Sequence, residues 1–472
     1  MAKILALGAY FYQAALAFGL LIVVARLLPA ADYAGYSIFI ASTQFVAICC
    51  FDWIRYACTR FYPGRDATTE ANQRRTLWGE TAAAALVCVI AGAIAIPLGL
   101  PPVIAGLGVA VATVQGGSDI HFTMLRFRRQ FSAFSGLQGF RATILATGSI
   151  AGAWMGHSLV TTATGLVGAY LVFAAIALVV ELRVRRPAGR WSSDIAREHL
   201  SYGSISAGAS VIGLLAPLGL RLILSSTLGP IAAAGALLAV DLLQKPFVLI
   251  IAALQAIQYP DVVTAFDHAE RKGLRQHLGQ YYALLVTLSL ITGTGILAIL
   301  LPVSAIAVAP ELRSSFLAGA PILVFLFMLR SITQFVSTTP AHLEKDLMQM
   351  LVLALVDCIG LDVLAWGAAL LPNPSAMTII AAAAIGTIAA GLFGLRILSR
   401  LPFEIYATPM LIGVASLIVP TLLVVMPLAS IWVSAGLAVA AGGAISLAAL
   451  YALYRIMGFG RAAATPEMTA RA

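Results

Sequence analysis

The chain opens on an unbroken apolar run, LALGAYFYQAALAFGLLIVV at 5–24, and runs of similar length recur almost to its end. About twenty such residues, wound as a helix at about 1.5 Å per residue, match the roughly 30 Å hydrocarbon core of a bilayer. In lipid every backbone N–H and C=O must find a partner within the protein, which leaves helices or closed barrels. Barrel strands alternate apolar and polar residues, whereas these runs are continuous, so the spans are helical. Composition points the same way. Only 10% of the 472 residues are charged, 61% are hydrophobic and the mean hydropathy is +0.95, where a soluble chain carries about a quarter charged residues. The expected fold class is an all-α polytopic membrane protein, with no soluble domain large enough to hold an enzyme and no catalytic residues.

Hydropathy places about fourteen spans, near 4–27, 34–56, 79–100, 103–125, 139–159, 161–181, 203–227, 230–257, 280–302, 315–338, 347–371, 375–397, 405–427 and 430–455. The net charge of +9, nearly all arginine, follows this segmentation and implies no nucleic-acid partner. With the N-terminus inside, the inner connections hold Arg60, Arg65, Arg74 and Arg75, then Arg126, Arg128 and Arg129, then Arg183, Arg185, Arg186, Arg190 and Arg197. Arg271, Lys272, Arg275, Lys345, Arg400, Arg461 and Arg471 follow on the same side, and Arg313 is the one clear outer basic residue. Basic residues hold loops in the cytoplasm, so both termini are expected there. The first run is too long for a signal-peptide core and reads as an uncleaved span. The longest outer connection is expected near 303–314. Cys49, Cys50, Cys58, Cys88 and Cys358 have no zinc-ligand spacing and read as small buried hydrophobes.

A faint repeat appears at an offset of 200, where LPAADYAGYS (28–37) falls on LGPIAAAGAL (228–237). Both segments join a first span to a second through an outer turn, each after an arginine, Arg26 or Arg221. Duplicating an even number of spans preserves topology and relates the halves by an axis along the membrane normal. The expected organisation is therefore a six-helix lobe at 1–181, a cytoplasmic linker at 182–199, a second six-helix lobe at 200–400, an extra helix pair at 401–456 and a cytoplasmic tail at 457–472.

Charges inside spans are costly to insert and mark polar interiors or function. The candidates are Arg26, Asp52, Arg55, Asp119, His121, Arg221, Asp241, Lys245, Asp357 and Asp362. Asp241 and Lys245 stand at i and i+4 and share a helix face, either neutralising each other or lining a charged cavity; Pro246 follows and frees a carbonyl. Asp52 and Arg55, at i and i+3, form an interfacial ion pair or another such wall. Arg26 and Arg221, near the outer ends of their spans, either snorkel to water or act within the bundle. Asp119 and His121 cannot share a helix face, and no third ligand accompanies them, so no metal site is expected. Asp357 and Asp362 are either paired across helices or ion-coupling sites.

The segment VVARLLPAADYAGYSIFIASTQFVAICCFDWIRYACTRFYPG (23–64) resembles the opening of Wzx-like polysaccharide-biosynthesis flippases of the multidrug/oligosaccharidyl-lipid/polysaccharide (MOP) superfamily. The shared features are Arg26, Leu27, Leu28, Pro29, Tyr33, Gly35, Tyr36 and Ser37 across the first turn, then Arg55, Arg60, Tyr62 and Pro63. LSYGSISAGASVIGLLAPLGLRLILSSTLGPIAAAGALLAVDLLQKP (200–246) is similar to the start of the second lobe, although Leu220 stands where the family usually has an acid. LRFRRQFSAFSGLQGFR (125–141) looks like the family's loop after span four. The resemblance implies a multi-pass protein of the bacterial cytoplasmic membrane that moves lipid-linked oligosaccharide repeat units for O-antigen, capsule or exopolysaccharide. Its partners would be a polyprenyl-diphosphate-linked glycan, membrane lipids and a polysaccharide polymerase, with no cofactor. It also implies a central cationic cavity for the diphosphate, which maps onto Arg26, Arg55 and Lys245. Asp52, Arg221, Asp241, Asp357 and Asp362 would support that cavity or couple ions.

Two other readings stand beside it. A multidrug cation antiporter of the same superfamily would favour acids deep in the first span of each lobe, where this chain carries Arg26 and Arg221. A membrane polymerase or glycosyltransferase would present a large outer loop of convergent polar residues, whereas 303–314 holds only Glu311 and Arg313 as charges. The topology has a direct test. Single cysteines near 70, 190 and 272 should resist membrane-impermeant thiol reagents applied from outside, and one near 308 should react; external labelling at 190 would overturn the orientation.

Overall fold

The computed structural model describes residues 2–62, 67–182, 187–267, 271–344 and 346–457. Arg65, Arg183, Arg185, Arg186, Lys345, Arg461 and Arg471, and the expected tail from 458 onward, lie outside the described residues. The first seven helices are α1 (Ala2–Leu27), α2 (Ala30–Phe61), α3 (Ala67–Ala95), α4 (Pro102–Phe127), α5 (Phe131–Gly156), α6 (Leu159–Leu182) and α7 (Ser193–Leu228). Then follow α8 (Pro230–Ile257), the short α9 (Tyr259–Asp267), α10 (Arg271–Ala307), α11 (Pro310–Val336) and the short α12 (Thr338–Leu343). The chain continues through α13 (Leu347–Ala369), α14 (Ala376–Leu398), α15 (Ala407–Val425) and α16 (Ile431–Met457).

Fourteen of these helices are long, as the hydropathy pattern predicts, and twelve are long and apolar enough among the described residues to cross a membrane. The other two are α1, whose described apolar stretch is Tyr12–Leu27, and α5, whose first turns read FSAFSGLQGFR. The connections depart from expectation. The outer loop expected at 303–314 shrinks to Val308 and Ala309, because α10 continues through Pro302 to Ala307 and α11 opens on Pro310. A proline at the first helical position gives up an N–H that has no helical partner anyway.

The linker is similarly shortened. Helix α7 starts at Ser193, where the Ser192 hydroxyl accepts the Ile195 N–H. The residues just before it are strapped to α3: Arg190 N–H donates to Asn72 Oδ1 (2.8 Å), and Arg74 donates to the Pro187 carbonyl (2.6 Å). Gly189 lies so close that a Cβ there would sit 1.8 Å from the Ala71 carbonyl oxygen. The α7–α8 turn needs Gly229, which adopts φ +79°, a conformation that costs glycine little.

The chain forms two compact units. The first comprises Met1–Lys245, Ala307–Ala320 and Leu347–Ala390. Its core includes Phe51, Ile54, Leu77, Ile120 and Met124 on α2, α3 and α4, and Phe122, Phe134 and Phe173 on α4, α5 and α6. The second comprises Pro246–Ile306, Pro321–Asp346 and Gly391–Ala472. There Tyr281, Tyr282, Val336 and Leu343 form a buried cluster, with Phe403 packed edge-on against Tyr282. The cysteines only partly follow expectation: Cys58 and Cys88 are buried, whereas Cys49 is exposed on the flank of α2.

Without a hydrophobic force between helices in lipid, close backbone approach does much of the packing, and small residues permit it. In the first unit Gly148, Gly152 and Gly156 recur every fourth residue on α5 and face α6. A Cβ at Gly152 would lie 2.3 Å from the Thr161 carbonyl oxygen, and one at Gly165 would lie 2.2 Å from the Gly148 carbonyl oxygen. Gly152→Ala should therefore force the pair apart and cost about 1–3 kcal/mol, as overpacking does. Gly168→Ala, which meets open space on α6, should be near neutral. Thermal unfolding of both variants in detergent checks this; equal midpoints would show that α5 and α6 do not approach as described.

Candidate functional site

Two clusters of polar side chains in the first unit hold interior charges expected from the sequence. One lines a cavity of about 150 Å³ between α2 and α4. Helix α2 supplies Gln44, Asp52 and Arg55, and α4 supplies Gln115 and Asp119. Helical spacing puts each set on one face: 44, 52 and 55 stand eight and three apart, and 115 and 119 four apart. The helices approach at Gly116, where a Cβ would fall 2.3 Å from the Phe51 ring. Glycine at this position lets the ring floor the cavity. Arg55 Nη2 donates to Asp52 at 2.7 Å. Arg141, from α5, donates to Asp119 at 2.7 Å and to the Ser118 hydroxyl at 2.8 Å. Its guanidinium also lies 4.6 Å from the centre of the Phe122 ring. The Tyr170 hydroxyl, from α6, donates to Gln115 Oε1 at 3.4 Å.

The other surrounds the carboxylate of Asp241 on α8. Arg221, from α7, donates to it through Nη2 (2.8 Å) and Nε (3.2 Å) and through Nη1 to the Pro217 carbonyl (2.7 Å). Buried Tyr33, from α2, donates its hydroxyl to the other carboxylate oxygen at 3.2 Å. Pro217 sits inside α7 one turn before Arg221, which brings its carbonyl within reach of that side chain. Lys245, one turn beyond Asp241, is exposed and has no ion-pair partner within 4 Å among the described residues.

These contacts sort the expected site residues. Asp52 and Arg55 do form an ion pair, and it faces a cavity. Asp241 and Lys245 do not neutralise each other directly, because Asp241 is taken by Arg221 and Tyr33. Arg221 is buried and paired rather than snorkelling, whereas Arg26 is exposed and donates through Nε to the Ala307 carbonyl (3.0 Å) at the end of α10. The two arginines matched by the repeat thus do different things. Asp357 is buried on α13, and Asp362 accepts from Cys358 Sγ (3.5 Å) and packs where Gly219 leaves room on α7. His121 sits beside Trp78, turned away from Asp119 as helical spacing requires. No three His, Cys, Asp or Glu side chains among the described residues are grouped to hold a metal.

The apolar-run criterion misses Arg141, two residues inside its expected span, and buried Arg330, six residues from the end of α11. It also gives no weight to Gln44 and Gln115, which carry no charge. Glu70, Glu80 and Glu181 read as loop or span-end acids, yet they build an ionic layer. Arg128 bridges Glu70 (2.7 Å) and Glu181 (3.2 Å), Arg74 binds Glu70 (2.6 Å), and buried His199 contacts Glu80 through Nδ1 (3.0 Å) and Gln73 Oε1 through Nε2 (2.9 Å). Tyr62 donates to Glu70, and burial, followed by the bond to that carboxylate, raises its phenol well above the ordinary value of 10.

Solved structures match this arrangement of helices. The lipid II flippase MurJ, in an inward closed conformation, superposes with a TM-score of 0.71 over 96% of this chain and 99% of its own, at 12% identity. An inward-facing multidrug-resistance MATE transporter of the MOP superfamily gives a TM-score of 0.62 over 84% of this chain and 98% of its own, at 14% identity. An outward-facing MATE transporter of that superfamily gives 0.56 over 85% and 94%, at 16% identity. The chain shares the all-helical fold of these structures. No protein-family model and no curated protein matches its sequence. It is a multi-pass membrane protein, and its structural neighbours are transporters caught on both sides of an access cycle.

The Asp241 cluster makes a stability prediction that separates pairing from mere proximity. Removing one partner of a buried ion pair costs about 3–5 kcal/mol, because the other charge stays behind. Arg221→Leu should lower the unfolding midpoint far more than Lys245→Leu, and adding Asp241→Asn to Arg221→Leu should restore much of the loss. Equal losses for the two single variants would contradict the pairing.

Proposed function

We propose that the chain is a flippase that moves lipid-linked oligosaccharide repeat units across the bacterial cytoplasmic membrane by alternating access, for O-antigen, capsule or exopolysaccharide synthesis. The observation that carries this reading is coverage. The likeness to the MurJ flippase takes in 96% of this chain and 99% of that one, whereas the likeness to the inward-facing MATE transporter covers 84% of this chain. The lipid II flippase is thus the neighbour that takes in the larger share of this chain. The interior charges support the same choice over a cation antiporter, since α1 holds Arg26 and no acid, and the two acids of α7, Asp194 and Glu198, lie in its first turns.

In this reading both termini are cytoplasmic, and the spans form two six-helix repeats that rock about the substrate. The diphosphate needs its charge met throughout the crossing, since a multiply charged group in low dielectric is prohibitively costly. Arg55 lies six residues from the end of α2, Lys245 near the middle of α8, and Arg26 one residue from the end of α1. At about 1.5 Å per residue, these are inner, middle and outer stations along one path. Lys245 is the principal phosphate contact, because its charge is not consumed by a bonded carboxylate. Arg26 can offer its guanidinium at the outer end, and Arg55 arrives already matched by Asp52.

A charge-assisted hydrogen bond is worth about 1.5–3 kcal/mol, or about ten- to a hundredfold in affinity. Lys245→Ala should therefore accumulate lipid-linked precursor on the cytoplasmic face at wild-type protein levels, and Arg26→Lys should do so more mildly. The assay is quantification of that precursor in cells. Normal export by the combined Arg26, Arg55 and Lys245 alanine variant would remove the cationic path.

A further inference from the structure

The cavity between α2 and α4 has a composition that the diphosphate does not explain. Two guanidiniums, Arg55 and Arg141, and two carboxylates, Asp52 and Asp119, meet there as two ion pairs of 2.7 Å each. The formal charge of the group is zero. A metal cation entering it would face two arginines, and a phosphate would face two carboxylates. Yet the pairs do not use up the hydrogen-bonding capacity. Arg55 Nε is a buried donor with no partner among the described residues. Asp119 gives one oxygen to Arg141 and has no described bond to the other. The Gln115 amide nitrogen and both ends of the Gln44 amide likewise have no described bond. Donors and acceptors thus converge, without net charge, on a space of about 150 Å³ beside the Phe51 ring.

That volume equals about five liquid-water molecules, close to the bulk of one pyranose ring with its hydroxyls. A sugar is the ligand this chemistry suits. Each hydroxyl both donates and accepts, vicinal pairs match the forks of a carboxylate, an amide and a guanidinium, and the C–H face of the ring packs on an aromatic side chain. A single cavity that is polar, neutral and one ring wide selects against both ends of a lipid-linked substrate except its glycan.

We infer that the α2–α4 cavity is a monosaccharide subsite, in which Gln44, Arg55, Gln115 and Asp119 bind the hydroxyls of one sugar of the translocated glycan. The inference rests on the flippase reading and divides the work within it: Lys245 holds the phosphate, the cavity reads the sugar, and Arg55, the inner station of the diphosphate path, also lines the cavity. Arg55 then binds through the nitrogens that Asp52 leaves open. Arg141 is a positioning residue, holding the Asp119 carboxylate from α5.

The test uses the full-length protein in lipid nanodiscs and titration calorimetry with synthetic probes. The probes are farnesyl diphosphate, and farnesyl diphosphate carrying one glucosyl, galactosyl, mannosyl or N-acetylglucosaminyl residue. The wild-type protein should bind at least one glycosylated probe about tenfold or more tightly than the bare diphosphate. Gln44→Ala and Gln115→Leu spare both ion pairs, and each should shrink that sugar increment by about three- to tenfold while leaving affinity for the bare probe unchanged. Lys245→Ala should weaken all probes alike and leave the increment intact. If no probe shows an increment, or if the glutamine variants leave it untouched, the cavity holds only water and the inference fails. If the glutamine variants weaken the bare probe equally, the cavity serves phosphate and the inference also fails. If the wild-type protein binds none of the five probes, the flippase reading itself falls.

Discussion

A charge in hydrocarbon must be neutralised, hydrated or used, and this requirement orders the interior of the protein. The insertion cost of an ionised side chain at mid-membrane is about 2.5–3.5 kcal/mol on translocon scales, and an unpartnered buried charge in a folded protein costs more. Arg221 therefore does not stand alone on α7 but ties to Asp241 on α8, and Tyr33 on α2 completes the carboxylate's shell. The three helices of the first unit are pinned by one carboxylate. Arg141 and Asp119 do the same for α5 and α4, and Arg128 with Glu70 and Glu181 for α4, α3 and α6. Because most interior cations are consumed by this pairing, an exposed lysine without a bonded partner carries meaning. Lys245 is such a residue.

The apolar contacts set the distances over which these pairs operate. Glycines bring backbones together at the α5–α6 contact, and Gly116 admits the Phe51 ring. The Phe51 contact brings the faces of α2 and α4 near enough for Asp52, Arg55 and Asp119 to share one cavity. Packing and electrostatics are thus coupled: a larger residue at 116 would displace the ring and separate the two ion pairs that the cavity presents.

Much of the architecture was legible in the sequence, because a bilayer demands runs of about twenty apolar residues and leaves little alternative. The fourteen long helices follow the hydropathy pattern, and their ends miss mainly where proline misleads. The span expected at 280–302 runs on through Pro302 to Ala307, because the N–H that proline lacks is lost close to the helix end. The short helices α9 and α12 were not legible, being too brief for a hydropathy signal. The candidate site was legible in part. Spacing on one helix put Asp52 beside Arg55, and the two pair; for Asp241 and Lys245 the same spacing left pairing and a cavity wall both open, and the partner of Asp241 comes from α7. Cross-helix partners such as Arg141 to Asp119, and uncharged liners such as Gln44 and Gln115, leave no trace in local spacing. They emerge only when the helices are assembled.

The central claim is the proposal that this protein moves a lipid-linked glycan rather than a soluble cation. The most direct measurement reconstitutes the purified protein in proteoliposomes. It follows, in the same vesicles, the leaflet exposure of a fluorescent polyprenyl-diphosphate saccharide and the efflux of ethidium under an imposed proton or sodium gradient. The account predicts protein-dependent exchange of the saccharide lipid between leaflets, slowed by Lys245→Ala, and no gradient-driven ethidium efflux. Ethidium efflux driven by the gradient, with the saccharide lipid confined to its original leaflet, would contradict it.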